Sequence, residues 1–276
     1  MGDEPELSLS VLEKTALIPL VARAQARTLF PELGFVDEQA EYMVEALGIP
    51  LDSFGLDVAW LRGTILRAKW FDDRCRQFFK ANPNGLGVAL GAGLDTRFQR
   101  LNEGAIRWVD LDLPEVTDLK CRFVKVTENY RVLACDVTDP AWIDQIGWRA
   151  GLPLILTAEG LLMYLAPQDV RNLFREVAMH FSSGKAPFSF LFDYASPLLV
   201  LNSRFHPALM HTEARFRWGL AGAEAIRLFD PRYNIIEDYD ISQDCGYPTF
   251  FVSALHQFMT MGQPFYGLAH VQLQRH

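Results

Sequence analysis

The chain has 276 residues, of which 50% are hydrophobic and 22% are charged. This is the balance of a globular protein with a large core, and one elaborated α/β domain accounts for it. The formal net charge of -8 argues against DNA or RNA as the main partner, because nucleic-acid binding draws its affinity from basic side chains that neutralise phosphates. We therefore expect a small molecule or a protein as substrate.

The four cysteines, Cys75, Cys121, Cys135 and Cys245, show neither CxxC spacing nor pairing with nearby histidines. The sequence thus suggests neither a zinc site nor a disulfide framework. The N-terminus is acidic where a signal peptide would be basic, and no apolar stretch approaches the roughly 20 residues that a membrane span needs. We expect reduced thiols, no metal, no membrane association and a cytoplasmic location, while the oligomeric state stays open.

The first third of the chain is predicted to be helical, because apolar residues recur there at spacings of three and four. The periodic stretches are Val11–Leu29, Glu38–Leu47 and Leu51–Phe79. The turn-forming sequence Asn82-Pro83-Asn84-Gly85 follows them. We interpret residues 1–84 as a helical N-terminal cap, and residues 85–276 as the domain that carries the function.

Strand and helix signals alternate after this turn, which is typical of a parallel sheet with crossover helices. The predicted strands are Gly87–Leu90, Ile106–Asp110, Arg131–Cys135, Leu154–Ala158 and Phe188–Tyr194. An amphipathic helix, Pro167–Phe181, separates the last two. Residues 195–229 then interrupt the alternation of strands and helices with helix-like, aromatic-rich sequence. This segment predicts a cap insertion over the edge of the sheet. Ile235–Ile241 and His270–Gln274 are predicted as closing strands.

A glycine turn, Gly91-Ala92-Gly93, follows the first predicted strand. Glycines there let the backbone approach a bound ligand closely. The dinucleotide-binding pattern GxGxxG would need a third glycine where this chain has Thr96, and that difference argues against a nicotinamide or flavin. The turn therefore predicts a ligand site of another kind.

Acidic residues lie at the ends of the next three predicted strands or directly after them: Asp110 and Asp112, then Asp136, then Glu159. One such residue is usually a loop or helix cap. Ligands of open α/β sheets, however, bind at the carboxyl ends of the strands, where a carboxylate can accept hydrogen bonds from a ribose diol. The recurrence at successive strand ends therefore favours a nucleoside site.

Three stretches of this region resemble the leucine carboxyl methyltransferase-like family, especially its bacterial branch of polyketide-type O-methyltransferases. They are Leu90-Gly-Ala-Gly-Leu-Asp-Thr-Arg97, Val109-Asp-Leu-Asp-Leu-Pro-Glu-Val116 and Ala158-Glu-Gly-Leu-Leu-Met-Tyr-Leu165. Weaker similarity extends over nearly the whole chain. The resemblance implies a class I S-adenosylmethionine-dependent methyltransferase, with a Rossmann-like fold and a mostly parallel seven-stranded sheet.

The resemblance also implies roles for individual residues toward S-adenosylmethionine. Arg67 is expected to pair with the methionine carboxylate, Asp112 to bind the ribose, and Asp136 with Val137 to bind the adenine. The remaining cofactor-binding candidates are Gly91, Ala92, Gly93, Asp95, Arg97, Asp110, Leu111, Glu159 and Gly160. An Asp-Arg pair could instead brace the turn, which leaves Asp95 and Arg97 with two interpretations. The roles of Asp110 and Asp112 cannot be separated from sequence.

The acceptor is expected to be a carboxylate or a phenol of a small molecule. The catalytic candidates are His206, which lies in a stretch that resembles a recurrent one in this branch, His211, and Tyr194 near a strand end. Arg204, Arg215 and Arg217 are further polar candidates. Two alternatives stay open: methylation of a protein C-terminus, and a protein that binds S-adenosylmethionine without catalysis. A nicotinamide oxidoreductase is a distant further alternative because of Thr96.

Overall fold

The computed structural model describes residues 11–52, 55, 57–101, 106–182, 186–205 and 214–274, with the backbone alone at 11–15 and 205. The α-helices in these ranges are α1 (Val11–Ala24), α2 (Ala26–Leu29), α3 (Glu38–Ala46), α4 (Val58–Ala81), α5 (Arg97–Leu101), α6 (Pro114–Cys121), α7 (Trp142–Gln145), α8 (Pro167–Phe181), α9 (Pro197–Leu201) and α10 (Tyr247–Thr260). The strands are β1 (Leu86–Leu90), β2 (Arg107–Asp112), β3 (Tyr130–Ala134), β4 (Leu154–Ala158), β5 (Phe188–Ala195), β6 (Tyr233–Asp240) and β7 (Tyr266–Leu273).

The strands form one sheet in the order β3-β2-β1-β4-β5-β7-β6. Strands β1 to β5 are parallel, while β7 runs antiparallel to both β5 and β6. The predicted mostly parallel seven-stranded sheet is therefore confirmed. In such a sheet the carboxyl ends of the five parallel strands meet at one edge, where ligands of open α/β sheets bind.

The central strands β1, β4 and β5 are buried along their whole length, as expected where helices cover both faces of a parallel sheet. Successive side chains point to opposite faces. On β1, Val88 and Leu90 face a core that contains Phe174 of α8. Ala89 faces a second core with Phe71 of α4. Helix α4, from the N-terminal part of the chain, thus shares a core with the sheet.

Helices α1 and α3 pack together beside the end of the glycine turn. Leu20 of α1 and Met43 of α3 form a small core with Leu94, just after the turn, and Leu119 of α6. Helix α3 begins at an N-cap, Asp37, whose carboxylate accepts a hydrogen bond from the amide of Ala40. The N-terminal helices therefore reach the edge of the sheet where the acidic residues lie.

One segment differs from the prediction. Helix α10 lies between the closing strands, where no helix was predicted. Of the predicted cap insertion, α9 and two short 3-10 turns, Ser203–Phe205 and Ala223–Leu228, are the regular parts among the described residues. Among the helices that the structure describes, no helix is long and apolar enough to cross a membrane.

Candidate functional site

A cavity of about 1330 Å³ opens at the carboxyl ends of the parallel strands. Its walls come from α1, α4, the ends of β1 to β4, the segment after α9, and α10. A drug-sized ligand typically occupies a pocket of roughly 300–1,000 Å³. The cavity therefore has room for a nucleoside-sized ligand and a second molecule.

The glycine turn forms the floor of the cavity. Gly91 has φ +59° and Gly93 has φ +50°, a left-handed conformation that is costly for residues with a Cβ. A Cβ on Gly91 would also lie 2.6 Å from Cδ1 of Leu161. A Cβ on Gly93 would have the Cβ of Ala16 as its nearest neighbour, at 3.6 Å. Gly91 is thus required for both conformation and space, and Gly93 for conformation.

Asp112 is the last residue of β2, and its carboxylate holds the glycine turn in place through hydrogen bonds. Its Oδ2 accepts the amide of Gly93 at 2.6 Å, and its Oδ1 accepts the amide of Leu113 at 2.8 Å. Burial raises the pKa of this carboxyl, while the two amide hydrogen bonds lower it in part. Because a carboxylate can accept about four hydrogen bonds, Asp112 can still receive a ribose hydroxyl from the cavity, which it lines.

Arg67 extends from α4 to the end of β4. Its Nε donates to Glu159 at 3.0 Å, and its Nη1 donates to Asp193 at 3.1 Å and to the Tyr266 hydroxyl at 2.9 Å. No described residue hydrogen-bonds its Nη2, beside which lies Gly160 with φ +66°. The guanidinium is therefore fixed in place with one nitrogen available to a carboxylate ligand.

Arg97 is a brace for the turn. Its Nε pairs with Asp72 at 2.9 Å, its Nη1 with Asp95 at 2.7 Å, and its Nη2 with Glu159. All three nitrogens are engaged, and the side chain is 1% exposed. Of the two interpretations of Asp95 and Arg97, this geometry favours the structural one, although both residues border the cavity.

Thr96 explains why this turn lacks a third glycine. Its hydroxyl lies within 2.7 Å of both carboxylate oxygens of Asp37, the N-cap of α3. Arg23 and Arg100 pair with the same carboxylate, each through an Oδ2 contact below 3 Å. The threonine therefore links the turn to the N-terminal helices through a buried ion-pair cluster.

Asp136 and Val137 border the cavity beyond the end of β3. Asp136 is exposed, and its Oδ1 accepts both the amide and the hydroxyl of Thr138 at 2.8 Å. Val137 is buried. The pair thus combines an acceptor at the rim with an apolar surface, which suits an adenine ring and its amino group.

Three predicted site residues lie away from the cavity. Asp110 is enclosed by the Tyr130 hydroxyl at 2.6 Å, the Trp108 indole at 2.7 Å and the Lys120 amine at 2.5 Å. Leu111 is fully buried in the sheet core. Asp110 and Asp112, inseparable in sequence, are therefore distinct in structure, and Asp112 is the one that reaches the ligand space.

The third is Tyr194, which is fully buried and does not border the cavity. Its hydroxyl donates to Asp238 at 2.5 Å. Because its ring lies in the core on the α8 side of the sheet, the interpretation of Tyr194 as catalytic is corrected. His206 and His211 lie outside the described residues.

Asp193, one residue before Tyr194, was missed. Its Oδ1 accepts the amide of Gly160 at 2.8 Å, and its Oδ2 accepts the Tyr266 hydroxyl at 2.6 Å in addition to Arg67. It is fully buried. A signal was present, since Asp193 continues the series of acidic residues at strand ends.

The rest of the cavity is largely aromatic and apolar. Tyr164 packs edge-on against Phe216 with ring centroids 5.3 Å apart, and Trp60, Met163 and Phe265 also border this part. Burial raises the pKa of Tyr164 to about 12, so this hydroxyl stays protonated at neutral pH. It can donate a hydrogen bond but is a poor base.

Arg217 brings a positive charge to this aromatic part. Its amide donates to the carbonyl of Met163 at 2.7 Å, which places the residue at the cavity wall. No described residue pairs with its guanidinium, and the residue is exposed. A cation beside an apolar surface is suited to an anionic, partly aromatic ligand.

Comparisons with known proteins agree with this geometry. The sequence model of the family described as leucine carboxyl methyltransferase matches residues 16–178, which include the glycine turn, Asp112 and Glu159. The chain is 26% identical over 237 residues to the tetracenomycin polyketide synthesis O-methyltransferase TcmP of Streptomyces glaucescens, covering 85% of each chain. It is 25% identical to the S-adenosyl-L-methionine-dependent methyltransferase dpfgK of Gibberella zeae, covering 94% of each.

Among solved structures, a DUF574 family protein from Streptomyces avermitilis superimposes with a TM-score of 0.57 at 13% identity. The superposition covers 91% of this chain and 96% of the other. At that identity the likeness concerns the fold, and it supports the assignment of the sheet and its helical layers.

Proposed function

The chain belongs to the leucine carboxyl methyltransferase family of S-adenosylmethionine-dependent methyltransferases, and from this premise we propose that it methylates an oxygen of a small acceptor. The observation that carries the proposal is a single cavity with two chemically different ends. One end presents the glycine turn with Asp112 and Arg67. The other is aromatic and carries Arg217.

The residues of the first end fit the cofactor. A Cβ on Gly91 would meet the Leu161 side chain beside the turn, Asp112 offers acceptors for a ribose, and Nη2 of Arg67 has no described partner. We propose that Arg67 holds the methionine carboxylate through Nη2, because a charge-assisted hydrogen bond between a guanidinium and a carboxylate is strong. Glu159 acts through Arg67, which it orients at 3.0 Å.

S-adenosylmethionine supplies an activated methyl group on a sulfonium. When bound, it would supply this methyl group to an acceptor oxygen, and the electron pair of the broken carbon–sulfur bond would remain on sulfur. The protein's task is to hold the oxygen about 3–3.5 Å from the carbon in line with the breaking bond. The apolar wall around Tyr164 and Phe216 supports this role by excluding water from the nucleophile.

The described lining residues favour a carboxylate acceptor. A carboxylate is ionised at neutral pH and needs no base, whereas a phenol with a pKa near 10 gains from one. No histidine occurs among the described cavity-lining residues, and Tyr164 is protonated at neutral pH. Arg217 can pair with an acceptor carboxylate. A phenol acceptor would instead need His206 or His211 as its base.

The relatives support a small acceptor. TcmP is named for the synthesis of a polyketide, and it matches 85% of this chain. The family name refers to a leucine carboxyl group, so the alternative of a carboxyl group at a protein C-terminus stays open. The test must therefore offer both kinds of acceptor.

The experiment is an incubation of the purified chain and S-adenosylmethionine with three panels: aromatic carboxylic acids, phenols, and peptides that end in a free carboxyl group. Products are identified by mass and then treated with alkali, which hydrolyses a methyl ester but leaves an aryl methyl ether intact. An alkali-labile product from an aromatic acid supports the proposal in its carboxylate form, and a stable one supports its phenol form. Methylation confined to peptides, or to nitrogen, would contradict it.

A further inference from the structure

Helix α10 presents an apolar face to solvent. Phe258 is 85% exposed, Met259 is 65% exposed and Leu255 is 61% exposed. Phe250, Phe251 and Val252 of the same helix are also exposed. Surface apolar residues that occur singly are ordinary, whereas a contiguous patch of this kind on one helix marks an interaction surface.

The face carries no charge. Residues 245–274 contain no Asp, Glu, Lys or Arg, although the chain as a whole has a net charge of -8. A membrane surface attracts helices whose polar face is rich in Lys and Arg, and α10 has neither. An uncharged face, by contrast, is where two equally negative molecules can meet with the least repulsion.

The pattern of exposed residues reads almost the same from both ends of the helix. Phe250 and Phe251 lie as far before the Ala254–Leu255 step as Met259 and Phe258 lie after it. If two copies of α10 pack antiparallel around a twofold axis at that step, each Phe251 lies opposite Phe258 of the other copy. Small Ala254 then faces Leu255. An isologous interface requires such a self-complementary surface.

We propose that α10 forms a twofold interface between two copies of this chain. The exposed side chains of the helix present on the order of 800 Å² of apolar surface, since an aromatic side chain alone buries 150–250 Å². That is about the area that each partner contributes to a stable interface of standard size. A second copy therefore matches the size, neutrality and symmetry of this face.

The side of α10 opposite the exposed face, with Ser253 and His256, packs against the rest of the chain, and Pro248, Thr249 and Val252 in the first two turns border the cavity. The helix is held there by Ser253, whose hydroxyl donates to Asp240 at 2.7 Å. The proposed interface thus lies on a helix that also forms one wall of the ligand space, and the two surfaces adjoin at Val252. Neither the proposal nor its test depends on which acceptor is methylated.

The first test is the molar mass in solution, measured by light scattering and by sedimentation velocity on the full chain. We expect the parent to have twice the mass of one chain at concentrations of about 10 μM, and Leu255→Glu and Phe258→Glu to be monomers. Leu228→Glu is the matched control, because Leu228 is 83% exposed on another segment; this variant should remain a dimer. A monomeric parent, or dimers that persist in both α10 variants, would overturn the proposal.

The second test concerns the antiparallel register. In a Cys121→Ser background, which removes an exposed thiol, Phe251→Cys and Phe258→Cys proteins are oxidised separately and as a mixture. Covalent dimers should form far more in the mixture than in either protein alone, and Ala254→Cys should cross-link with itself. Equal cross-linking in all samples would contradict the twofold arrangement. Sedimentation of a monomeric parent with phosphatidylglycerol vesicles would instead assign the face to a membrane and overturn the proposal.

Discussion

The guanidinium of Arg67 lies 3.1 Å from the carboxylate of Asp193, although 126 positions separate the two residues. Through this pair and the Tyr266 hydroxyl, three elements are fixed against each other: α4, the end of β5 and the start of β7. The amide of Gly160 is bound to the same aspartate. Asp193 is thus a positioning residue that determines where Arg67 presents its open nitrogen.

Replacing Arg67 should weaken cofactor binding. A hydrogen bond to a charged group contributes about 1.5–3 kcal/mol, so Arg67→Ala should lower affinity roughly ten- to hundredfold in calorimetric titration with S-adenosylmethionine. Because Arg67→Ala also leaves the carboxylates of Glu159 and Asp193 without their partner, Arg67→Lys is the second variant. It keeps the positive charge but cannot bind both carboxylates and the cofactor at once. Affinity equal to that of the parent in a folded variant would remove Arg67 from the cofactor site.

Replacing Asp112 tests the ribose end of the site. Asp112→Ala removes acceptors for the ribose and for the amides of Gly93 and Leu113. We expect a comparable loss of affinity for S-adenosylmethionine and for its demethylated product, because both carry the same ribose. Asp110→Asn is the contrasting variant, since Asp110 points away from the cavity; it should lower the unfolding temperature and leave cofactor affinity within about threefold. A larger effect at Asp110 than at Asp112 would reverse the assignment.

The two glycines of the turn should differ in their sensitivity to alanine. Gly93→Ala only forces an alanine into the left-handed conformation, which costs roughly 1–2 kcal/mol. Gly91→Ala adds a clash with Leu161 at 2.6 Å. We expect Gly91→Ala to reduce the free energy of unfolding more, and Leu161→Ala in the Gly91→Ala background to restore part of the loss. Denaturant unfolding measures all three variants, and equal losses without rescue would contradict the packing described here.

The pH dependence of stability should identify the ion-pair cluster. Burial alone would raise the pKa of Asp95, but Arg97 and Arg100 outweigh it and hold that pKa well below its usual range. A carboxyl whose pKa is lower in the folded state stabilises the fold above its unfolded pKa, about 4, and this contribution is lost as the pH falls further. The difference in free energy of unfolding between the parent and Asp95→Asn should therefore be largest near pH 7 and shrink below about pH 4. A difference that stays constant down to pH 2.5 would contradict the ion pairing.

Arg217 should act on the acceptor alone. With an anionic acceptor, Arg217→Ala should raise KM by roughly tenfold, as expected for the loss of one charged hydrogen bond, while cofactor affinity stays unchanged. Arg122→Ala, on the exposed end of α6 away from the cavity, is the control for a loss of surface charge. If Arg217→Ala weakens cofactor binding and leaves the acceptor KM as it was, this arginine belongs to the other end of the cavity.

The sequence predicted most of the framework because its strands are short apolar runs between clear turn signals. The bounds of β4 and α8 agree with the prediction, and the other strands agree within a few residues except β7, which begins four residues earlier. Helix α10 was missed for a physical reason: its polar residues, among them Ser253 and His256, face the protein and its apolar residues face solvent, which is the reverse of the usual pattern of a surface helix. The feature that concealed the helix is the same one that suggests its interface.

The site was predicted less completely, and the errors follow from strand geometry. Asp193 and Tyr194 are neighbours on β5, so their side chains point to opposite faces of the sheet. Sequence alone did not indicate which face bears the cavity, and the wrong neighbour was chosen. Arg97 and Thr96 were recognised as part of a motif, but their partners Asp72 and Asp37 lie 25 and 59 positions earlier in the chain. Contacts over such separations depend on the packed fold.

The most direct test of the central claim is to follow the fate of a ¹³C-labelled methyl group. S-adenosylmethionine labelled at that carbon is incubated with the parent chain and the aromatic acid or phenol that reacts in the acceptor panels, with Asp112→Ala as the control. Carbon NMR of the product distinguishes a methyl carbon on oxygen from one on nitrogen, sulfur or carbon. We predict a methoxy signal that depends on the enzyme and is strongly reduced in Asp112→Ala. Label that appears on nitrogen, sulfur or carbon of the product, or a methoxy signal that is as strong in Asp112→Ala as in the parent, would contradict the assignment as an O-methyltransferase.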